Sequence, residues 1–161
     1  MGVGKGGLSF FCGKMGSGKS TAARTIAEET KAVLLSEDEW LGALYPGEIQ
    51  SVADYATFSG RLKPLVKALV QGLLLKGQNV VLDFPANTPK QRAWLKGISD
   101  EVEAEHRLYF LDVEDKVCLS RIEQRAKEQP ERAQTDTRDM FFALLPFFSP
   151  PEEDGLNVLK L

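Results

Sequence analysis

The chain has little that would tie it to a metal, a membrane or an oxidising compartment. Among its 161 residues are two cysteines and one histidine, which make no metal-ligand pattern. Cys12 and Cys118 both fall within apolar segments, which predicts buried, reduced thiols. His106 precedes an apolar run without any partner pattern, so no role attaches to it. No apolar run approaches the length of a bilayer span. Met1 to Gly7 is glycine-rich and lacks the hydrophobic stretch of a signal peptide. Gly2 does not read as a lipidation site, because Gly6 stands where Ser or Thr is required. Positive charge is not in excess either. A formal net charge of −3 weighs against a general nucleic-acid binder. These absences predict a cytoplasmic protein, with residues 1–161 forming one domain.

What is present is an alternation of short apolar runs and helical patterns. Leu8–Cys12, Ala32–Leu35, Asn79–Asp83, Arg107–Asp112 and Asn157–Leu161 read as strands. Between them, helical spacing covers Lys19–Thr30, Ser36–Leu44, about Val52–Lys76, a helix opened by Thr88-Pro89, and one running to about Lys127. Pro64 is expected to kink or split the longest of these. A polar stretch from Glu128 to Thr137 leads into a last helix through Leu145. This order predicts an α/β fold with a parallel sheet covered on both faces, its ligands at the carboxyl ends of the strands.

The chemistry-bearing motifs fall at those ends. Gly13-Lys14-Met15-Gly16-Ser17-Gly18-Lys19-Ser20 satisfies GxxxxGK[ST] directly between a strand and a helix. In that motif, glycines let backbone N–H groups face phosphate oxygens, and the helix adds the positive end of its dipole. Lys19 is the residue to reach the β- and γ-phosphates, and Ser20 is the one to join a Mg²⁺ shell. The earlier Gly4-Lys5-Gly6-Gly7 precedes the strand and reads as a mobile terminus. GxGxxG spacing is missing, as is a guanine-reading Asn/Thr-Lys-x-Asp motif, so ATP is the expected nucleotide.

After the second strand, Ser36 and Glu39 have capping-box spacing and leave Asp38 free as a candidate general base. Asp83 and Asp112 each end an apolar strand and compete as the carboxylate that organises Mg²⁺; the irregular Phe84-Pro85-Ala86-Asn87 connection favours Asp83. Arg121 and Arg125 share one helix face, and Arg132 follows in the polar stretch. All three are candidates to fold over a triphosphate. Phe141, Phe142, Leu144, Leu145, Phe147 and Phe148 read as core packing, while Trp40 and Tyr45 read either as an acceptor pocket or as packing.

With the phosphate motif, Ser-x-Asp after the second strand and Asp83 in place, the chain resembles the small P-loop kinases of the AAA-33 type. Polynucleotide 5′-kinase domains, chloramphenicol phosphotransferase and zeta-toxin kinases are their relatives in fold. The resemblance runs from Leu8 through Ser149-Pro150-Pro151-Glu152. It implies a three-layer P-loop NTPase fold with strand order 2-3-1-4-5, and a lid over about residues 126–137. Gly13 to Thr21 becomes the phosphate loop, Asp38 the base, Asp83 with Ser20 the metal site, and Arg121 and Arg125 lid residues. Polynucleotide kinases place an arginine shortly after the base. Here Trp40, Leu41 and Gly42 occupy that region, which argues against nucleic-acid or phosphate-bearing acceptors. The strand-3 connection also lacks the glycine run of shikimate-type kinases. The implied activity is ATP- and Mg²⁺-dependent phosphoryl transfer to a hydroxyl of a small molecule. An ATP-binding switch with weak hydrolysis, and a nucleic-acid 5′-hydroxyl kinase, are the competing classes.

Overall fold

A computed structural model describes residues 4–133 and 135–161. The Gly2 reading and position 134 of the expected lid lie outside the described residues. Five strands, β1 (Leu8–Gly13), β2 (Val33–Ser36), β3 (Val80–Pro85), β4 (His106–Leu111) and β5 (Val158–Lys160), form one sheet in the order β2-β3-β1-β4-β5. Every neighbouring pair is parallel. Helices α1 (Lys19–Glu29), α2 (Glu37–Leu44), α3 (Val52–Leu75), α4 (Pro89–Asp100), α5 (Asp115–Glu128) and α6 (Arg138–Leu144) connect or follow the strands. The expected α/β architecture and strand order are therefore present.

Strand periodicity divides the interior into two layers. On β1, Leu8, Phe10 and Cys12 face Val66, Val70 and Leu74 of α3 and Leu95 and Ile98 of α4. Phe11 faces the other way, onto Ala23 and Ala27 of α1 together with Val81 and Tyr109. Side chains that alternate across a strand serve both faces when both are covered, so these strands are apolar throughout. A third cluster joins Cys118, Leu119 and Ile122 of α5 to Phe141 of α6.

Several sequence expectations need correction. The helix containing Pro64 is not split, and α3 runs unbroken from Val52 to Leu75. Pro64 and Gly60 are both exposed, so the carbonyl that loses its N–H partner can be solvated by water. Gly6 and Gly7 are not a loose terminus: Gly6 N donates to Leu74 O at 2.8 Å and Gly7 N to Asn79 Oδ1 at 2.9 Å. Asp83 does not end its strand. Between Phe10 and Phe11 the β1–β3 register slips, taking Phe10 opposite Leu82 and Phe11 opposite Pro85, and the strand continues past Asp83. The aromatic cluster also divides. Phe141 is buried, whereas Phe142, Leu144 and Phe147 are exposed.

Candidate functional site

The segment between β1 and α1 is shaped by its glycines. Gly16 has φ 79°, and a Cβ there would lie 2.6 Å from the Cys118 carbonyl oxygen, so the site excludes side chains on two counts. Gly18, at φ 96°, is the N-cap of α1 and supplies no capping side chain. No acidic residue occupies the first turn of α1. The leading amides of a helix have no partner inside it, so this end carries unpaired donors and the positive end of the dipole. That is an anion site built from backbone.

The loop is braced from three sides. Arg121 Nη1 of α5 donates to the Ser17 carbonyl at 3.0 Å. Asn87 Oδ1, beyond β3, accepts from Gly13 N at 3.0 Å. Met15 packs on the cluster formed by α5 and α6. Lys14 Nζ pairs with Asp115 at 2.7 Å and lies over the Phe148 ring. Lys19 points its ammonium at the carbonyls of Gly13 and Lys14, and burial lowers its pKa. Thr21 is exposed on the first turn of α1 and lies outside the cavity lining.

Opposite the loop, Ser20 Oγ donates to Asp83 Oδ2 at 2.9 Å. Asp112, the competing carboxylate, instead pairs with Lys160 at 3.0 Å. A hydroxyl and a carboxylate held together form an all-oxygen donor set, which suits a hard cation such as Mg²⁺. The uncapped end of α1 with Lys19 suits an anion such as a phosphate group.

Asp38 lies in the first turn of α2, on the wall of the same cavity as Lys19, Ser20 and Asp83. Solvent reaches it through the cavity mouth, yet surrounding protein desolvates the carboxyl and raises its pKa. Asp83 adds to the rise, while Arg132 and Lys19 oppose it. Ser36 caps α2, its Oγ accepting from Glu39 N at 3.4 Å.

The arginines behave differently from one another. Arg121 braces the loop, as described. Arg125 donates to both carboxylate oxygens of Asp136, at 2.6 and 3.2 Å, and Arg132 Nε donates to the same carboxylate at 2.8 Å. Asp136 is 6% exposed, so one buried carboxylate holds two of the three arginines expected to fold over a triphosphate, Arg125 and Arg132 but not Arg121. Sequence reasoning missed it. Its only signal was the four-residue spacing to Arg132.

Other contributors were missed as well. Glu37 is 2% exposed and accepts hydrogen bonds from Tyr55 and from Ser59 Oγ, the latter at 2.9 Å. Burial raises its pKa, and the two hydroxyl donors oppose that. Glu37 and Tyr55 both line the cavity. Trp40 and Tyr45 do not; they pack against the core, with Tyr45 4.2 Å from the Phe58 ring centre. Arg92 is fully buried. It joins Glu153, with Nη2–Oε1 2.7 Å, to the Ala86 and Ser149 carbonyls, fixing the loop after β3 against the C-terminal segment. Its position three before Leu95 and seven before Ser99, on the buried face of α4, was the readable sign.

Together these elements enclose a cavity of about 400 Å³. The phosphate loop and the Ser20–Asp83 pair line one part of it. Asp38, Glu37, Tyr55, Phe84 and Pro85 line another part, with the polar side chains of Asn87, Thr88 and Gln91 and the apolar residues of α6 and the segment after it, Phe147 among them.

Residues 8–144 match the AAA-33 family, described as an AAA domain. The chain belongs to that family. Solved structures similar to this AAA-33 chain include kinases and a protein named with a nucleotide analogue. The APS kinase CysC of Mycobacterium tuberculosis, in complex with AMPPNP and APS, is 21% identical with a TM-score of 0.64, covering 98% of this chain and 89% of its own. A kinase candidate from Chloroflexus aurantiacus is 18% identical with a TM-score of 0.73, covering 99% and 86%. Kti12 of Chaetomium thermophilum, in complex with ADP-AlF3, is 17% identical with a TM-score of 0.66, covering 95% and 88%. At these identities the likeness establishes the P-loop kinase fold of the AAA-33 chain. No curated protein sequence matches it significantly. Among the described residues, no helix is long and apolar enough to cross a membrane.

Proposed function

We propose that this AAA-33 protein is an ATP- and Mg²⁺-dependent phosphotransferase acting on a hydroxyl of a small molecule. The observation that carries the reading is that one cavity is lined by Lys19 beside the uncapped end of α1, by the Ser20–Asp83 oxygen pair, and by Asp38. Lys19 and the loop amides would hold the β- and γ-phosphates. Ser20 and Asp83 would hold Mg²⁺, which when bound neutralises charge between those phosphates. Asp38 would take the proton from the acceptor hydroxyl as its oxygen bonds to the γ-phosphorus and the bond to ADP breaks. Residues 126–137 would act as a lid, with Arg125 presented by Asp136. The APS kinase neighbour, named in complex with AMPPNP and APS, supports a nucleotide-and-acceptor reading of the cavity.

The test is Asp38→Asn. Transfer to an acceptor should fall about 10²–10⁴-fold, the range for a general base, while ATP affinity measured by calorimetry stays unchanged. In the unsubstituted protein, transfer should be lost as pH falls through an acidic limb lying above the ordinary aspartate value of 3.8, because the raised Asp38 carboxyl acts as a base only when ionised. Full transfer activity in Asp38→Asn would remove the base assignment. ATP hydrolysis without phosphorylated product would favour the switch module over the kinase.

A further inference from the structure

Beyond the phosphate loop, the described residues that line the cavity carry charge of only one sign. Its charged lining residues are Lys14, Lys19, Glu37, Asp38 and Asp83. Both lysines belong to the loop. Lys14 is paired with Asp115, and Lys19 lies on the loop carbonyls. Asp83 is bonded to Ser20. That leaves Glu37 and Asp38 on the remaining wall, and no lysine or arginine among the described lining residues opposes them.

Cations outside this wall act on the two carboxylates, Lys63 on Glu37 and Arg132 and Lys19 on Asp38, and each has another partner. Lys63 stands over the Trp94 ring at 5.4 Å, and Arg132 is held by Asp136. Glu37 is fixed by two hydroxyl donors, Tyr55 and Ser59, which orient its carboxylate without neutralising it. Tyr55, Phe84, Pro85, Leu144 and Phe147 give this part of the cavity apolar and aromatic surface, and Asn87, Thr88 and Gln91 add uncharged polar groups.

We infer that the cavity beyond the phosphate loop takes an alcohol carrying an ammonium group on an apolar body. An anionic molecule would meet two carboxylates there, while the cations in reach are on the phosphate loop or already held against Trp94 and Asp136, and like charges in such a space are costly. A neutral polyol could hydrogen-bond to Asn87, Thr88 or Gln91 but would leave both carboxylates without a counter-charge. An ammonium answers the carboxylates and is also attracted by aromatic faces, while an apolar body fills the remaining wall. This ligand class rests on the phosphotransfer reading only in treating the occupant as the acceptor.

Three probes of one shape separate the cases: phenylalaninol, a cation; N-acetylphenylalaninol, neutral; and 3-phenyllactate, an anion. Each is titrated by calorimetry into the full chain, with and without Mg²⁺ and ADP. Phenylalaninol should bind at least about tenfold more tightly than its neutral analogue, and phenyllactate more weakly than either. Glu37→Gln should weaken phenylalaninol about tenfold while leaving the neutral analogue and ADP unchanged, a split that a merely structural role would not produce. Equal or tighter binding of phenyllactate or the neutral analogue, or no phenylalaninol binding at millimolar concentration, would overturn the inference. The two readings also fail separately. Amine binding without any phosphorylated product in ATP would remove the kinase reading and leave the ligand class standing. Phosphorylation of neutral or anionic alcohols without amine binding would do the reverse.

Discussion

Two helices begin at the edge of the same cavity, and their first turns are chemically opposed. α1 starts from Gly18, with no capping side chain and no acid in its first turn. α2 starts from Ser36, whose hydroxyl caps it, and carries Glu37, Asp38 and Glu39 in succession. Both helices present the positive end of a dipole toward the carboxyl ends of the strands. On α2 the protein's own groups meet that end, so what faces the cavity is carboxylate. On α1 the protein supplies nothing to meet it, and the end remains open to an external anion. A phosphate-binding helix is thus recognised as much by the cap it omits as by the glycines it contains. On the proposed function, the pairing of an open end with a filled one would separate the two halves of a transfer reaction, phosphate on one side and proton acceptor on the other.

The comparison breaks most completely where the loop's backbone is denied. Gly16→Val forces a branched residue to φ 79° and brings its Cβ against the Cys118 carbonyl. The left-handed conformation alone costs about 1–2 kcal/mol. Moving the loop to relieve the contact misaims the amides, and affinity for Mg²⁺-ATP should fall by at least about 100-fold, or some 2.7 kcal/mol. Calorimetry reads the affinity, and a thermal melt reads the lost stability. Wild-type affinity in this variant would mean that the loop conformation is not what binds phosphate.

The same contrast explains which parts of the site were legible from sequence. The phosphate loop is a local solution: its glycines, Lys19 and Ser20 lie within eight residues, and each is required by backbone geometry or by phosphate charge. The strand order is implied by the family resemblance, whereas the parallel α/β sheet and the position of Asp38 follow from the alternation of apolar runs. The choice between Asp83 and Asp112 does not, because both sit in similar local settings. It depends on which strand adjoins β1 on the α1 side and on where Lys160 falls. In sequence Glu37 is one more acid at a helix start, because the hydroxyls of Tyr55 and Ser59 that hold it come from α3. The aromatic wall was misread for a related reason. Phe147 and Phe148 are apolar in sequence whether they fill a core or line a cavity, and only the chain path after α6 distinguishes the two. Asp136 is informative only once both arginines are seen to converge on it.

A subtler change sharpens the comparison by giving α1 some of the character of α2. Thr21 is exposed in the first turn of α1 and lies outside the cavity lining. Thr21→Glu places a carboxylate against the open dipole, which should stabilise the fold by about 0.3–1 kcal/mol. The same charge competes with phosphate, so affinity for Mg²⁺-ATP should fall about tenfold, or 1.4 kcal/mol. Opposite signs for folding and binding are the diagnostic result. If both fell together, the end of α1 would be a structural element rather than a binding one.

The converse change on α2 should do least. Ser36→Ala removes the hydroxyl that caps Glu39 N and costs about 1 kcal/mol. For a chain of this size that lowers the melting temperature by roughly 2–4 °C. Nucleotide affinity should be unchanged, because the α2 end was never open to phosphate. Transfer should slow only to the extent that a frayed first turn lets Asp38 wander from the acceptor oxygen. Melting and calorimetry on the same preparation separate the two effects. A loss of nucleotide affinity in Ser36→Ala comparable to that in Thr21→Glu would show that both helix ends serve one anion, and the division of the cavity into a phosphate side and a proton-accepting side would fail.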